Sequence, residues 1–82
     1  MSNRDLLIEK YGALYCQVTH IKTGNTYFMC DLVTNTTNEN DGQPMVLYYS
    51  MHNGRRFVRE FNEFIEKFDR YKEEETNGQA NA

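Results

Sequence analysis

The tetrapeptide His52-Asn53-Gly54-Arg55 lies between two segments rich in β-branched and aromatic residues. Asn-Gly in that setting is the preferred centre of a two-residue type I′ turn, because both central positions need positive φ. An antiparallel hairpin is therefore predicted, with residues 45–51 as one strand and residues 56–59 as its return. A two-residue loop places His52 opposite Arg55, Ser50 opposite Phe57, Tyr49 opposite Val58, and Tyr48 opposite Arg59. Strand side chains alternate between faces. Leu47, Tyr49 and Val58 then share one face, which is expected to be the core, while Tyr48, Arg55, Phe57 and Arg59 share the other. A slip of one residue would exchange the two faces.

The rest of the chain supplies partners for this hairpin. Asn3–Tyr11 reads as a short helix, capped by Ser2 or Asn3, with Asp5 in its first turn and Gly12 free to end it in the left-handed conformation. Leu6, Leu7 and Tyr11 mark its apolar stripe. So short a helix does not hold in water alone and must pack on something. Residues 13–21 change to a period of two, with Leu14, Cys16, Val18 and His20 on one side. Lys22-Thr23-Gly24-Asn25 is a turn signal, and Thr26–Thr34 returns as a second strand. A three-residue loop there would pair Cys16 with Cys30, and a two-residue loop would pair Cys16 with Asp31. Residues 35–43 are polar loop, and Pro44 suits the margin of the next strand. In residues 60–71, Phe61, Phe64, Ile65 and Phe68 have helical spacing, which by itself predicts an amphipathic helix to about Glu74. Residues 1–72 form one expected domain, with residues 73–82 as a polar, acidic and disordered tail.

Three short motifs, in this order, resemble a known family. They are His20-Ile21-Lys22-Thr23-Gly24-Asn25-Thr26-Tyr27, then Pro44-Met45-Val46-Leu47-Tyr48, then Phe57-Val58-Arg59 followed by Glu63-Phe64 and Glu66-Lys67-Phe68. The chain is similar over residues 15–71 to domain of unknown function 1653, a set of small proteins of bacteria and their phages. It departs at Glu60, where the family often has proline, and in its N-terminal helix and Asn-rich loop. The resemblance implies a strongly bent sheet or an SH3-like barrel. It also implies a single helical turn at residues 60–64 and a strand at residues 65–71, against the long helix. The expected fold is thus mostly β (α+β): a small bent antiparallel sheet or SH3-like barrel. A short N-terminal helix precedes it, and a helical turn or helix lies near the C-terminus. The resemblance carries no enzyme activity, and it fits a phage accessory protein acting on a host protein.

Composition narrows the function classes. The net charge is −3, and Glu73, Glu74 and Glu75 stand together, so no global field suited to DNA is present. The acidic run reads as a solubilising tail rather than a nucleic-acid mimic. Residues 1–10 carry Arg4, Asp5 and Glu9 and no apolar centre, so no secretory leader is expected. Two cysteines make no disulfide framework, and a cytoplasmic setting with free thiols is expected, the host cytoplasm if the chain is phage-encoded.

Cys16, His20, Cys30 and His52 lack the close spacing of zinc ligands. Cys16 and His20 on one strand would stand roughly 13 Å apart, too far for a nucleophile and its base. Glu63 and Glu66 read as a solvated face. No phosphate loop, metal motif or serine elbow is present. No enzyme activity, cofactor or metal is therefore expected.

The remaining signal is basic and aromatic. Tyr48, Arg55, Phe57 and Arg59 are the expected binding residues, because arginine beside an aromatic ring stacks a base, holds a phosphate or pairs with a partner's carboxylate. The competing reading leaves Arg59 bonded to a neighbouring acid and Tyr48 covering the edge of the core. The expected function is a non-catalytic interaction module with a protein partner. The alternative is a nucleic-acid or nucleotide binder using the same patch. No membrane association is expected, and both monomer and homodimer fit a small core with open sheet edges.

Overall fold

The computed structural model describes residues 2–71. Ser2 opens the first helix, α1 (Asn3–Tyr11), by accepting the Asp5 N–H on its hydroxyl at 3.1 Å. Gly12 closes it at φ 93°, sending its N–H to the Ile8 carbonyl. Leu7 and Tyr11 face inward, whereas Leu6, expected on the same stripe, is exposed.

Five antiparallel strands follow in one sheet of order β4-β3-β2-β1-β5. They are β1 (Cys16–His20), β2 (Thr26–Thr34), β3 (Pro44–Ser50), β4 (Arg56–Glu60) and β5 (Phe68–Arg70). A second helix, α2 (Phe61–Lys67), carries the chain from the β4 edge to the β5 edge. The fold is therefore a small α+β domain with an open sheet. The SH3-like barrel alternative is not realised, because β4 and β5 remain at opposite edges. The C-terminal segment is neither the long helix to Glu74 nor a single turn at residues 60–64. It is a helix of seven residues followed by a three-residue strand. Phe61 and Phe64 hold the helical spacing, and pairing of Phe68 with His20 ends it. Residues 73–82 lie outside the described residues.

Both hairpin registers differ from expectation, for one shared reason. Each loop has four residues, 21–24 and 51–54, so Cys16 pairs with Met29 and Tyr48 pairs with Phe57. The residue before each loop accepts backbone N–H groups with its side chain. His20 Nδ1 takes the Thr23 N–H, and Ser50 Oγ takes those of His52 and Asn53. The third loop residue then accepts the N–H two positions on, Thr23 from Asn25 and Asn53 from Arg55. Gly24 and Gly54 complete each loop at φ 78° and 74°. Asn53 thus acts through its side chain as an Asx-turn acceptor, and does not form the type I′ pair.

The core lies on the opposite face from the one expected. A two-position shift preserves side-chain parity, so the predicted facial groups hold together. Both helices cover the group containing Tyr48. Tyr48 is 4% exposed and Val58 is 54% exposed. Leu7, Tyr11, Leu14, Val18, Met29, Val46, Phe61, Phe64 and Phe68 complete the buried cluster. A β-bulge between Met29 and Asp31 returns Leu32 to the inner face. Stacked Phe64 and Phe68 rings, 4.3 Å apart, join α2 to β5 at its centre.

Candidate ligand-binding groove

The helices do not cover the whole inner face. Beyond them, at the end carrying both hairpin loops, the rings of His20, Tyr27 and Phe57 are only half-buried. Tyr27 comes from β2 and stands between its neighbours, 6.5 Å from His20 and 6.2 Å from Phe57 by ring centroid. Two open cavities adjoin this row. One, of about 500 Å³, lies between the loops over Tyr27 and Phe57. The other, of about 420 Å³, is lined by His20, Ile21, Lys22, Arg59, Glu66 and Lys67.

The four residues singled out from the sequence occupy different levels of this region. Phe57 forms part of the groove floor, and the exposed Arg55 guanidinium lies 5.9 Å from its ring centroid. Arg59 lines the second cavity. Tyr48 lies beneath the floor, within 5.5 Å by ring centroid of Tyr27, Phe57, Phe64 and Phe68, and offers almost no surface. Its hydroxyl serves the site indirectly by accepting from Arg59 Nε at 3.3 Å.

Arg59 is held on several sides. Nη1 pairs with Glu63 at 2.7 Å, in the first turn of α2, and the guanidinium carbon sits 5.7 Å from the Phe68 ring centroid. The hydrogen bond to Tyr48, aided by Glu63, raises its pKa above the ordinary arginine value. The competing sequence reading, Arg59 bonded to an acid, is thus part of the geometry. Arg55, Lys22 and Lys67 make no ion pair among the described residues.

His20, Tyr27, Lys22 and Lys67 are the groove residues that sequence reasoning missed. Tyr27 was legible only as an aromatic position of the strand Thr26–Thr34. Lys67 arrives through tertiary pairing alone, where the Ile21 N–H meets the Lys67 carbonyl at 2.9 Å. Desolvation lowers the His20 pKa, and Arg59, Lys67 and Lys22 lower it further. Its Nδ1 accepts the Thr23 N–H at 3.3 Å, which requires the proton of the neutral ring to sit on Nε2.

The residues considered for zinc are not gathered. Cys16 lies on the inner face with its thiol toward the Ala13 carbonyl, Cys30 is on the bulged strand near Arg56 and Asp31, and His52 is in a loop. Among the described residues no group of metal-ligating side chains forms, and no helix is long and apolar enough to cross a membrane.

The fold and groove define a small α+β domain with an aromatic, cation-lined surface at one end of its sheet. No protein-family model matches the chain, and neither the curated proteins nor the solved structures contain a match.

Proposed function

We propose that this chain is a non-catalytic binding module that takes an acidic segment of a partner protein along its aromatic groove. One observation carries the reading. Arg55 lies over the half-buried ring of Phe57, beside Tyr27, with no carboxylate paired to it among the described residues. Rings flanked by arginine are the common anchors of protein interfaces. The resemblance to domain of unknown function 1653 extends the proposal to a phage accessory role on a host protein. The test is partner retention by the intact protein and by two variants, Arg55→Ala and Arg55→Ala with Arg59→Ala. Loss from folded variants is expected, and unchanged retention would remove the groove as the site.

A second reading is a nucleotide or short single strand stacked on His20, Tyr27 and Phe57. The row of rings, with a cation-lined cavity at its His20 end and Arg55 over Phe57 at the other, favours it. Phosphate-driven binding weakens steeply as salt rises, so absence of binding at low salt would exclude it.

A further inference from the structure

We infer that the cavity beside the C-terminal end of α2 is a binding site for a phosphate monoester group, held by Arg59, Lys22, Lys67 and the Nε2–H of His20. This inference rests on the groove reading and names the chemistry recognised at one end of it.

Three permanent cations face the cavity against one carboxylate, Glu66. Glu63 stands behind Arg59 and fixes it rather than lining the space. Arg59 is also pre-positioned by Tyr48 and by the Phe68 face, with Nε and Nη1 committed and Nη2 left over. A guanidinium held in place loses little freedom when it binds an anion. Lys22 and Lys67 are exposed and come from the β1–β2 loop and the last turn of α2, so the donors approach from separate elements.

His20 adds a neutral donor. Its Nδ1 is occupied by Thr23 and its ring lies nearly perpendicular to that of Phe68, 5.0 Å away between centroids, which leaves Nε2–H as its one polar group without a protein partner among the described residues. Arg59, Lys67 and Lys22 disfavour a proton on the ring, Glu66 is the one acid lining the same cavity, and Asp69 sits on the adjacent strand opposite Thr19. A phosphate monoester carries −1.5 to −2 charges and three acceptor oxygens. It suits several donors in different directions better than a planar carboxylate, whose two oxygens match one arginine fork. The exposed Ile21 and the Tyr27 ring beside His20 provide apolar surface for whatever bears the phosphate.

The experiment is a titration of the full chain with inorganic phosphate, following the imidazole signals of His20 and His52 by NMR. His52 is exposed in the other loop, on the lining of the first cavity, and reports whether binding is confined to the second. The expected result is an upward shift of the His20 pKa with phosphate, absent with chloride at equal ionic strength and absent at His52. Lys22→Ala with Lys67→Ala, both exposed and therefore compatible with folding, should weaken phosphate binding about tenfold. Arg56→Ala, on the outer face, should leave it unchanged. O-phosphoserine and adenosine monophosphate then distinguish the source. A gain in affinity with phosphoserine marks a phosphorylated side chain, and a gain with the nucleotide, with shifts at Tyr27 and Phe57, marks a nucleotide. Equal response of His20 and His52, or an unchanged titration in the double-lysine variant, overturns the site. No partner protein enters this titration, so its failure leaves the Arg55 retention experiment to judge the groove separately.

Discussion

The hydroxyl of Tyr11 donates a 3.0 Å hydrogen bond to the carbonyl of Phe68, across 57 residues of chain. It joins the first helix to the last strand. Burial pushes the Tyr11 phenol well above its ordinary pKa, helped by Asp69 and Cys16, so the group stays protonated and a donor. The ring also meets Phe64 edge-on at 5.9 Å. Tyr11→Phe keeps the ring and removes the donor, and should cost about 1 kcal/mol in urea unfolding. Tyr11→Ala also removes the packing, and should cost roughly 3 to 5 kcal/mol.

The two sheet faces make a sharper contrast. Tyr48 is enclosed by four rings, whereas Val58 on the adjacent strand is open to solvent. Tyr48→Ala should destabilise by roughly 3 to 5 kcal/mol through cavity formation. Val58→Ala should stay within about 0.5 kcal/mol, as surface substitutions do. Denaturant midpoints of the two variants check the assignment of the inner face.

Gly12 ends α1 at φ 93°, and a Cβ there would stand 2.6 Å from Arg70 Nη2. The arginine can move, although its Nε also donates to the Tyr11 carbonyl at 3.4 Å. The left-handed backbone adds its own cost for any residue with a Cβ, roughly 1 to 2 kcal/mol. Gly12→Ala should therefore lower the thermal midpoint, while Gly12→Asn, which tolerates that conformation better, should lower it less.

His20 sets a pH response. Its folded pKa lies below the ordinary value, so the unfolded chain binds the proton more readily. The associated stability is present above the unfolded pKa of about 6.5 and declines as pH falls through the folded value. Thermal midpoints measured downward from neutral pH should fall. In His20→Gln, which has no proton to gain there, the fall should be smaller.

The candidate site was partly legible. Arg55, Phe57 and Arg59 announced themselves as cations beside a ring, and their shared face followed from strand parity. Tyr48 looked equivalent by the same rule, yet it lies under the helices. Lys22, His20 and Lys67 gave no local sign of belonging with Arg59. They meet because β5 pairs with β1, and that pairing brings the end of α2 to the β1–β2 loop.

Local signals in the chain determined the capped helix Asn3–Tyr11, the span of β2 and the presence of two hairpins, because caps, alternation and turn residues act over a few positions. The registers also rest on short-range chemistry, since His20, Ser50, Thr23 and Asn53 accept backbone N–H groups two or three positions on, although the Asn-Gly pair by itself suggests a shorter loop. Tertiary structure decided which face became the core. Met45, Val46, Leu47, Tyr48 and Tyr49 are apolar or aromatic on both sides of β3, so hydrophobicity along that strand distinguishes neither face. The choice fell to the side where α1 and α2 pack, and Arg59 is accommodated there because Tyr48, Glu63 and Phe68 receive it.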